Sequence, residues 1–203
     1  MKGCDFRKLQ PYTRASEPAH FPKMALPHIA MIGRSNVGKS SLINHLAQHK
    51  GLAKASASPG KTKAIDFFIV KDQCLIVDLP GYGYSKVASN LKTRWSSLLE
   101  AYLHEKRIAC LLFLLDARHL PSKEDLQMWD WLRTFAPSFL IVLTKTDKLK
   151  KNEIQKSKQA IAKALELSED ESKSLITYTT KGASGRSELG YMLEQKVKFG
   201  ITP

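Results

Sequence analysis

Three short stretches of the chain carry residue types that could do chemistry together: GRSNVGKS (Gly33–Ser40), DLPG (Asp78–Gly81) and TKTD (Thr144–Asp147). In the first, glycines at 33 and 38 let the backbone curl until successive N–H groups converge on an anion, and a following helix adds its dipole. The spacing Gly-x-x-x-x-Gly-Lys-Ser is that of a phosphate-binding loop. Lys39 then reaches the β- and γ-phosphates of a nucleotide, and the Ser40 hydroxyl binds Mg²⁺. Arg34, Ser35, Asn36 and Val37 complete the loop.

Asp78 closes the apolar run CLIVD, where an acidic residue holds Mg²⁺ through a water. Leu79 and Pro80 lead to Gly81, whose unobstructed N–H faces the γ-phosphate. Thr62, in the loop SPGKTKA, is the candidate second protein ligand of Mg²⁺, with Gly60, Lys61, Lys63 and Ala64 beside the nucleotide. A long loop of this kind gains order around a triphosphate.

The TKTD stretch reads the base. The Asp147 carboxylate accepts two hydrogen bonds from guanine's Watson–Crick edge, where adenine has no such pair of donors, so GTP and GDP are expected over ATP. The Lys145 stem covers the base face, and Thr144 and Thr146 shape the loop. Further on, YTTKG brings Tyr178, Thr179 and Thr180 to where backbone N–H groups meet the guanine carbonyl oxygen. Hydrolysis would rest on Lys39, Thr62 and Gly81. The residue after Gly81 is Tyr82, which cannot copy the paired donor and acceptor of a glutamine amide. Tyr82 and Tyr84 are expected to pack or to meet a partner, and unaided hydrolysis is expected to be slow.

These residues need a scaffold that brings loop ends together. Apolar β-rich runs predict strands at 28–32, 65–70, 74–77, 109–115, 139–143 and 175–178, the second and third as a hairpin. Helical patterns lie at 39–48, 91–105, 123–135, 153–166 and 187–198, with Ser122 and Asn152 as N-caps before acidic first turns. Alternation at this spacing predicts an α/β fold, a mostly parallel sheet with helices on both faces and ligands outside the carboxyl ends of the strands. Every motif above falls at such an end.

The 203 residues suit one domain with short tails. Pro11, Pro18, Pro22 and Pro27 predict an extended arm over residues 1–23, a domain over 24–199 and a tail over 200–203. The longest apolar run, IACLLFLL (108–115), is too short to cross a bilayer as a helix, and no secretory leader is recognisable, so a cytoplasmic protein without membrane partners is expected. Cys4, Cys74 and Cys110, odd in number and widely spaced, read as reduced thiols. A net charge of +13 favours polyanionic partners such as RNA or ribosomes. The lysine-rich segment 144–163 reads equally as such a surface or as a solvated helix face.

With these motifs in order the chain resembles the Ras-like GTPases, and within them the EngB family, over nearly all of residues 24–199. The resemblance is carried by GRSNVGKSS, SPGKTKAIDFF, VDLPGYGYSKV, LLDARHLPSKEDLQMWDWL and LTKTDKL. It implies a P-loop G domain with a six-stranded sheet, one strand antiparallel. It also implies a monomeric GTPase switch acting in large ribosomal subunit assembly and needed for cell division and septation. In the wider group an Asn at the position of Asn36 helps to hold K⁺ beside the phosphates, which implies the same role here. Thr144 stands where GTPases at large carry Asn, and Thr179-Thr180 where relatives have two serines. Two other classes remain open on the residues: an ATP-using P-loop enzyme, and an RNA-binding module for which nucleotide is a structural ligand only.

Overall fold

A computed structural model describes residues 4–54, 64–83, 89–135 and 138–199. Its centre is a seven-stranded sheet with β1 (Gln10–Ala15), β2 (His28–Gly33), β3 (Ile65–Val70), β4 (Cys74–Asp78), β5 (Ile108–Asp116), β6 (Phe139–Thr144) and β7 (Leu175–Thr177). The spatial order is β1-β3-β4-β2-β5-β6-β7. β3 runs against both of its neighbours, and the pairs β2–β4, β2–β5, β5–β6 and β6–β7 are parallel. The helices are α1 (Lys39–Ala47), α2 (Ser89–Leu103), α3 (Lys123–Leu132), α4 (Lys151–Ala164), α5 (Glu169–Ser172) and α6 (Ser184–Phe199).

The central strands are buried on both faces, so their sequences are continuous apolar runs. In β5, Leu111, Phe113 and Leu115 share one core with Leu99, Tyr102, Trp129 and Ile161 from α2, α3 and α4. Leu112 and Leu114, pointing the other way, join Leu42, Ile43 and Leu46 of α1 and Leu189 and Leu193 of α6. Two helical layers therefore clamp the sheet and fix the heights at which its strands end.

Seven strands replace the expected six. The additional one, β1, comes from the proline-containing segment 1–23 and pairs antiparallel with β3 at the sheet edge. Pro11 fits there because an edge strand leaves outward N–H groups unpaired anyway, and Arg14 faces Asp66 across the pair at 3.5 Å. Helix α4 starts at Lys151 with Lys150, not Asn152, as N-cap. The Glu153 carboxylate accepts from the Lys150 N–H at 2.6 Å, so Glu153 closes the first turn from its third position rather than opening it. Ser122 does cap α3: its hydroxyl accepts from Asp125 N at 3.3 Å, while the Asp125 carboxylate accepts from Ser122 N at 2.8 Å.

Candidate nucleotide site

Four adjacent strands, β4, β2, β5 and β6, end side by side at Asp78, Gly33, Asp116 and Thr144. Parallel register does this: Met31 lies opposite Asp78, Gly33 opposite Leu114 and Asp116 opposite Thr144. The three motifs, distant in sequence, thus meet on one edge.

Between β2 and α1, Gly33–Ser40 forms a loop in which Asn36 (φ 63°) and Gly38 (φ 116°) take left-handed backbone conformations. A Cβ on Gly33 would lie 2.7 Å from the Leu114 carbonyl oxygen, so only glycine fits this close approach of β2 to β5. The Lys39 ammonium points to Asp78 Oδ1 at 4.0 Å. Burial lowers the Lys39 pKa and raises that of Asp78 to about 6, with their mutual attraction opposing both. Asp78 Oδ1 is buried with no hydrogen-bond partner. A buried carboxylate oxygen in that condition, next to a buried ammonium and the half-buried Ser40, fits a hydrated divalent cation on a nucleotide phosphate.

The segment after Asp78 folds against this loop. Leu79 N donates to the Met31 carbonyl at 3.0 Å, and the Leu79 side chain enters the core. Gly81 lies so close to Ser35 that a Cβ would meet Ser35 N and Oγ at 3.1 Å. The Tyr82 carbonyl accepts from Ser35 N at 3.1 Å and from Ser35 Oγ at 3.3 Å. Tyr82 itself is 5% exposed and donates its hydroxyl to Asp125 Oδ1 at 2.7 Å. Its side chain is committed to the core. Asp125 therefore caps α3 and anchors the Asp-x-x-Gly segment together. Tyr84 lies outside the described residues, as do Gly60, Lys61, Thr62 and Lys63; Ala64 is buried just before β3.

Thr144 replaces the usual Asn without loss of the tether to the phosphate loop. It is buried, and its hydroxyl lies 2.7 Å from the Val37 carbonyl oxygen and 3.0 Å from that of Leu115. Lys145 (φ 61°) donates to the Asn36 carbonyl at 2.8 Å and pairs with Asp116 at 2.9 Å. Burial works against ionising Asp116, but hydrogen bonds from Arg118 and Lys145 outweigh it and hold the carboxyl well below the usual range. The Asp147 carboxylate is mostly enclosed, with Lys181 at 3.4 Å and Lys148 at 3.9 Å. Thr146 Oγ1 donates to the Tyr178 carbonyl at 3.0 Å, which joins the base loop to YTTKG. The Tyr178 side chain does not face the ligand edge. It is buried, its hydroxyl 2.7 Å from His45 Nδ1 of α1, so only its backbone belongs to the site. Thr179 Oγ1 accepts from Lys181 N at 3.0 Å, and Thr180 is exposed.

Asp116, Asp125 and His45 are the structural supports that reading the sequence missed. Asp116 carried a signal: it ends an apolar strand at the ligand edge, as Asp78 does.

The sheet order, the lysine loop, the buried aspartate and the tethered Thr-Lys-x-Asp loop together define a P-loop GTPase domain. A family model described as 50S ribosome-binding GTPase matches residues 28–145. The probable GTP-binding protein EngB of Desulforamulus reducens is 42% identical over 192 residues, covering 93% of both chains. That of Clostridium botulinum strain Eklund 17B is 42% identical over 176 residues, covering 86% of this chain and 88% of its own. The chain belongs to the EngB family of GTP-binding proteins and is a GTPase. Among solved structures, a probable GTP-binding protein EngB superposes with TM-score 0.70 at 23% identity, covering 84% of this chain and 98% of the other. Era in complex with MgGDPNP and a segment of 16S ribosomal RNA superposes with TM-score 0.61 at 21% identity, covering 87% and 57%. Among the described residues no helix is long and apolar enough to cross a membrane.

Proposed function

We propose that this GTPase is a slow molecular switch in large ribosomal subunit assembly in the cytoplasm, and that cell division and septation depend on it. The observation that carries the switch reading is the bond between the phosphate loop and the Asp-x-x-Gly segment, Ser35 N to the Tyr82 carbonyl. A γ-phosphate arriving at Gly81 and Ser35 competes for that contact and so changes the segment that leads into 84–88. The match to a 50S ribosome-binding family and the charge of +13 support a ribosomal partner.

In this reading Lys39 neutralises the β- and γ-phosphates, the loop N–H groups orient them, and Asp147 selects guanine. Ser40, Thr62 and, through water, Asp78 would hold Mg²⁺, which would supply charge neutralisation on the phosphates. Tyr82 is committed to Asp125, so no side chain at that position orients the attacking water, and hydrolysis waits for a partner. Asn36 offers its exposed side chain beside the phosphates, where it could help to hold K⁺; its left-handed backbone is the competing reason for an Asn there. Turnover in K⁺ and Na⁺, for wild type and Asn36→Gly, separates the two, because glycine keeps the backbone; four equal rates would remove the K⁺ role.

The test of the main reading is cosedimentation with large-subunit particles at several salt concentrations. Binding is expected with a nonhydrolysable GTP analogue, weakly with GDP, and with a steep salt dependence. Equal binding in both nucleotide states would favour a ribosome-binding module that uses nucleotide as a structural ligand.

A further inference from the structure

Far from the nucleotide edge, two thiols lie against each other: Cys4 Sγ is 3.9 Å from Cys74 Sγ. Their sequence positions are 70 apart, and nothing in the GTPase reading uses them. The contact is held by its surroundings. Asp5 N donates to Gln73 Oε1 at 3.2 Å, tying the chain beside Cys4 to the turn beside Cys74. Phe6 and Leu9, which follow, are buried among Ile76, Leu189 and Leu193. Cys74 opens β4 and is fully buried, whereas Cys4 is partly exposed. Small molecules can therefore reach one sulfur and not the other.

We infer that Cys4 and Cys74 are a reversible redox pair, closed to an intramolecular disulfide by a hydroperoxide, which staples the N-terminal segment to the first residue of β4. A disulfide needs a sulfur separation of about 2.05 Å, and the remaining approach is short for two side chains already in contact. The chemistry divides between them by exposure. The Cys4 thiolate attacks a peroxide oxygen; the O–O bond breaks, Cys4 becomes a sulfenic acid, and the departing hydroxide takes a proton to leave as water. The Cys74 sulfur then attacks the Cys4 sulfur, the S–O bond breaks, and hydroxide leaves with the Cys74 proton as a second water. Two thiols are oxidised and one hydrogen peroxide is reduced. The Cys74 hydrogen bond favours the Cys4 thiolate more than burial and Glu194 disfavour it, and Lys198 adds in the same direction, so the Cys4 pKa lies below its ordinary value. Cys74 and Cys110 are both fully buried and both thiols are pushed up, Cys74 by its hydrogen bond to Cys4 and by burial, Cys110 by burial to about 12; Cys110, whose side chain bonds to Ser138 and not to a thiol, is the internal control for the Cys4 contact.

The bond would form at the opposite end of β4 from Asp78, so it is a staple of the fold and leaves the nucleotide edge unchanged. The test treats the full-length folded protein with hydrogen peroxide, blocks free thiols, and maps peptides by mass spectrometry. Two of the three thiols are expected to disappear into a Cys4–Cys74 linked peptide, reversibly with dithiothreitol. The oxidised form should melt about 9–18 °C higher than the reduced form, as closing so long a loop predicts, with unchanged affinity for GDP. Cys4→Ser should keep both remaining thiols reduced, and Cys74→Ala should accumulate a dimedone-reactive sulfenic acid at Cys4. Should Cys74→Ala not fold, the wild-type and Cys4→Ser masses decide alone. Three intact thiols in oxidised wild type, disulfide-linked dimers through Cys4, or over-oxidation of Cys4 without an internal bridge would each overturn the inference.

Discussion

Replacing Tyr82 by Phe removes one atom from the anchor between the Asp-x-x-Gly segment and α3. The lost hydroxyl donates to Asp125 Oδ1 at 2.7 Å, and Asp125 is only 5% exposed, so the carboxylate oxygen loses its donor where water cannot easily replace it. The other carboxylate oxygen stays bound to Ser122 N, and α3 keeps its cap. A buried hydrogen bond to a charged acceptor contributes about 1.5–3 kcal/mol. For a domain of this size that is a fall in Tm of about 3–12 °C. Asp125→Asn should cost a comparable amount, because one amide oxygen cannot serve both Ser122 N and Tyr82 as two carboxylate oxygens do. The double variant Tyr82→Phe/Asp125→Asn should lose clearly less than the sum of the two. Thermal and urea unfolding of the four proteins, in the same nucleotide, measures the coupling. A Tm for Tyr82→Phe within about 1 °C of wild type, or strictly additive losses, would refute the anchor and leave Tyr82 as ordinary core packing.

Two other perturbations address different parts of the account. Thr144→Val leaves the Val37 carbonyl without its 2.7 Å donor; GDP affinity, measured with a fluorescent analogue, should fall about tenfold, equivalent to about 1.4 kcal/mol, while Thr144→Ser stays close to wild type. His28 is fully enclosed, and burial, assisted by the charge of Arg107, lowers its pKa from 6.5 to about 4. Between those values the unfolded chain binds the extra proton, so the His28 contribution is whole above pH 6.5 and is lost as pH falls through 4. Between pH 7 and 4.5 that loss is about 2–3 kcal/mol. The raised Asp78 pKa acts in the opposite sense over the same window, so the comparison is with His28→Leu, whose urea midpoint should fall less than that of wild type over this range.

Much of this architecture was legible in the sequence for a physical reason. Strands β2 to β6 are clamped between two helical layers, so burial on both faces forces the apolar runs that mark them. β1 was illegible as a strand because most of its residues face solvent and it contains Pro11; its one hint was the Arg14 charge opposite Asp66. The four-residue α5 was too short to leave a periodicity, although Ser168 and Glu171 form its capping box. At the site, glycine spacing and the residues that end strands were readable because backbone geometry demands them. The supports were not. Tyr82 and Asp125 are 43 residues apart and Thr144 and Val37 are 107 apart, and a single sequence carries no record of such pairs until the sheet brings them together. Tyr178 shows the same limit: its backbone sits where the motif predicts, while its ring belongs to the core beside His45.

The central claim is that the edge formed by Gly33–Ser40, Asp78 and Thr144–Asp147 is one guanine-nucleotide site. Equilibrium competition of GTP, ATP and xanthosine triphosphate against fluorescent GDP, on wild type and Asp147→Asn, tests it most directly. Wild type should prefer GTP over both rivals by at least about a hundredfold, since a largely enclosed carboxylate left without its paired donors rejects the wrong base. Asp147→Asn should weaken GTP by a similar factor and bind xanthosine triphosphate more tightly than GTP. Equal binding of GTP and ATP to wild type, or an unchanged GTP preference in Asp147→Asn, would contradict the account.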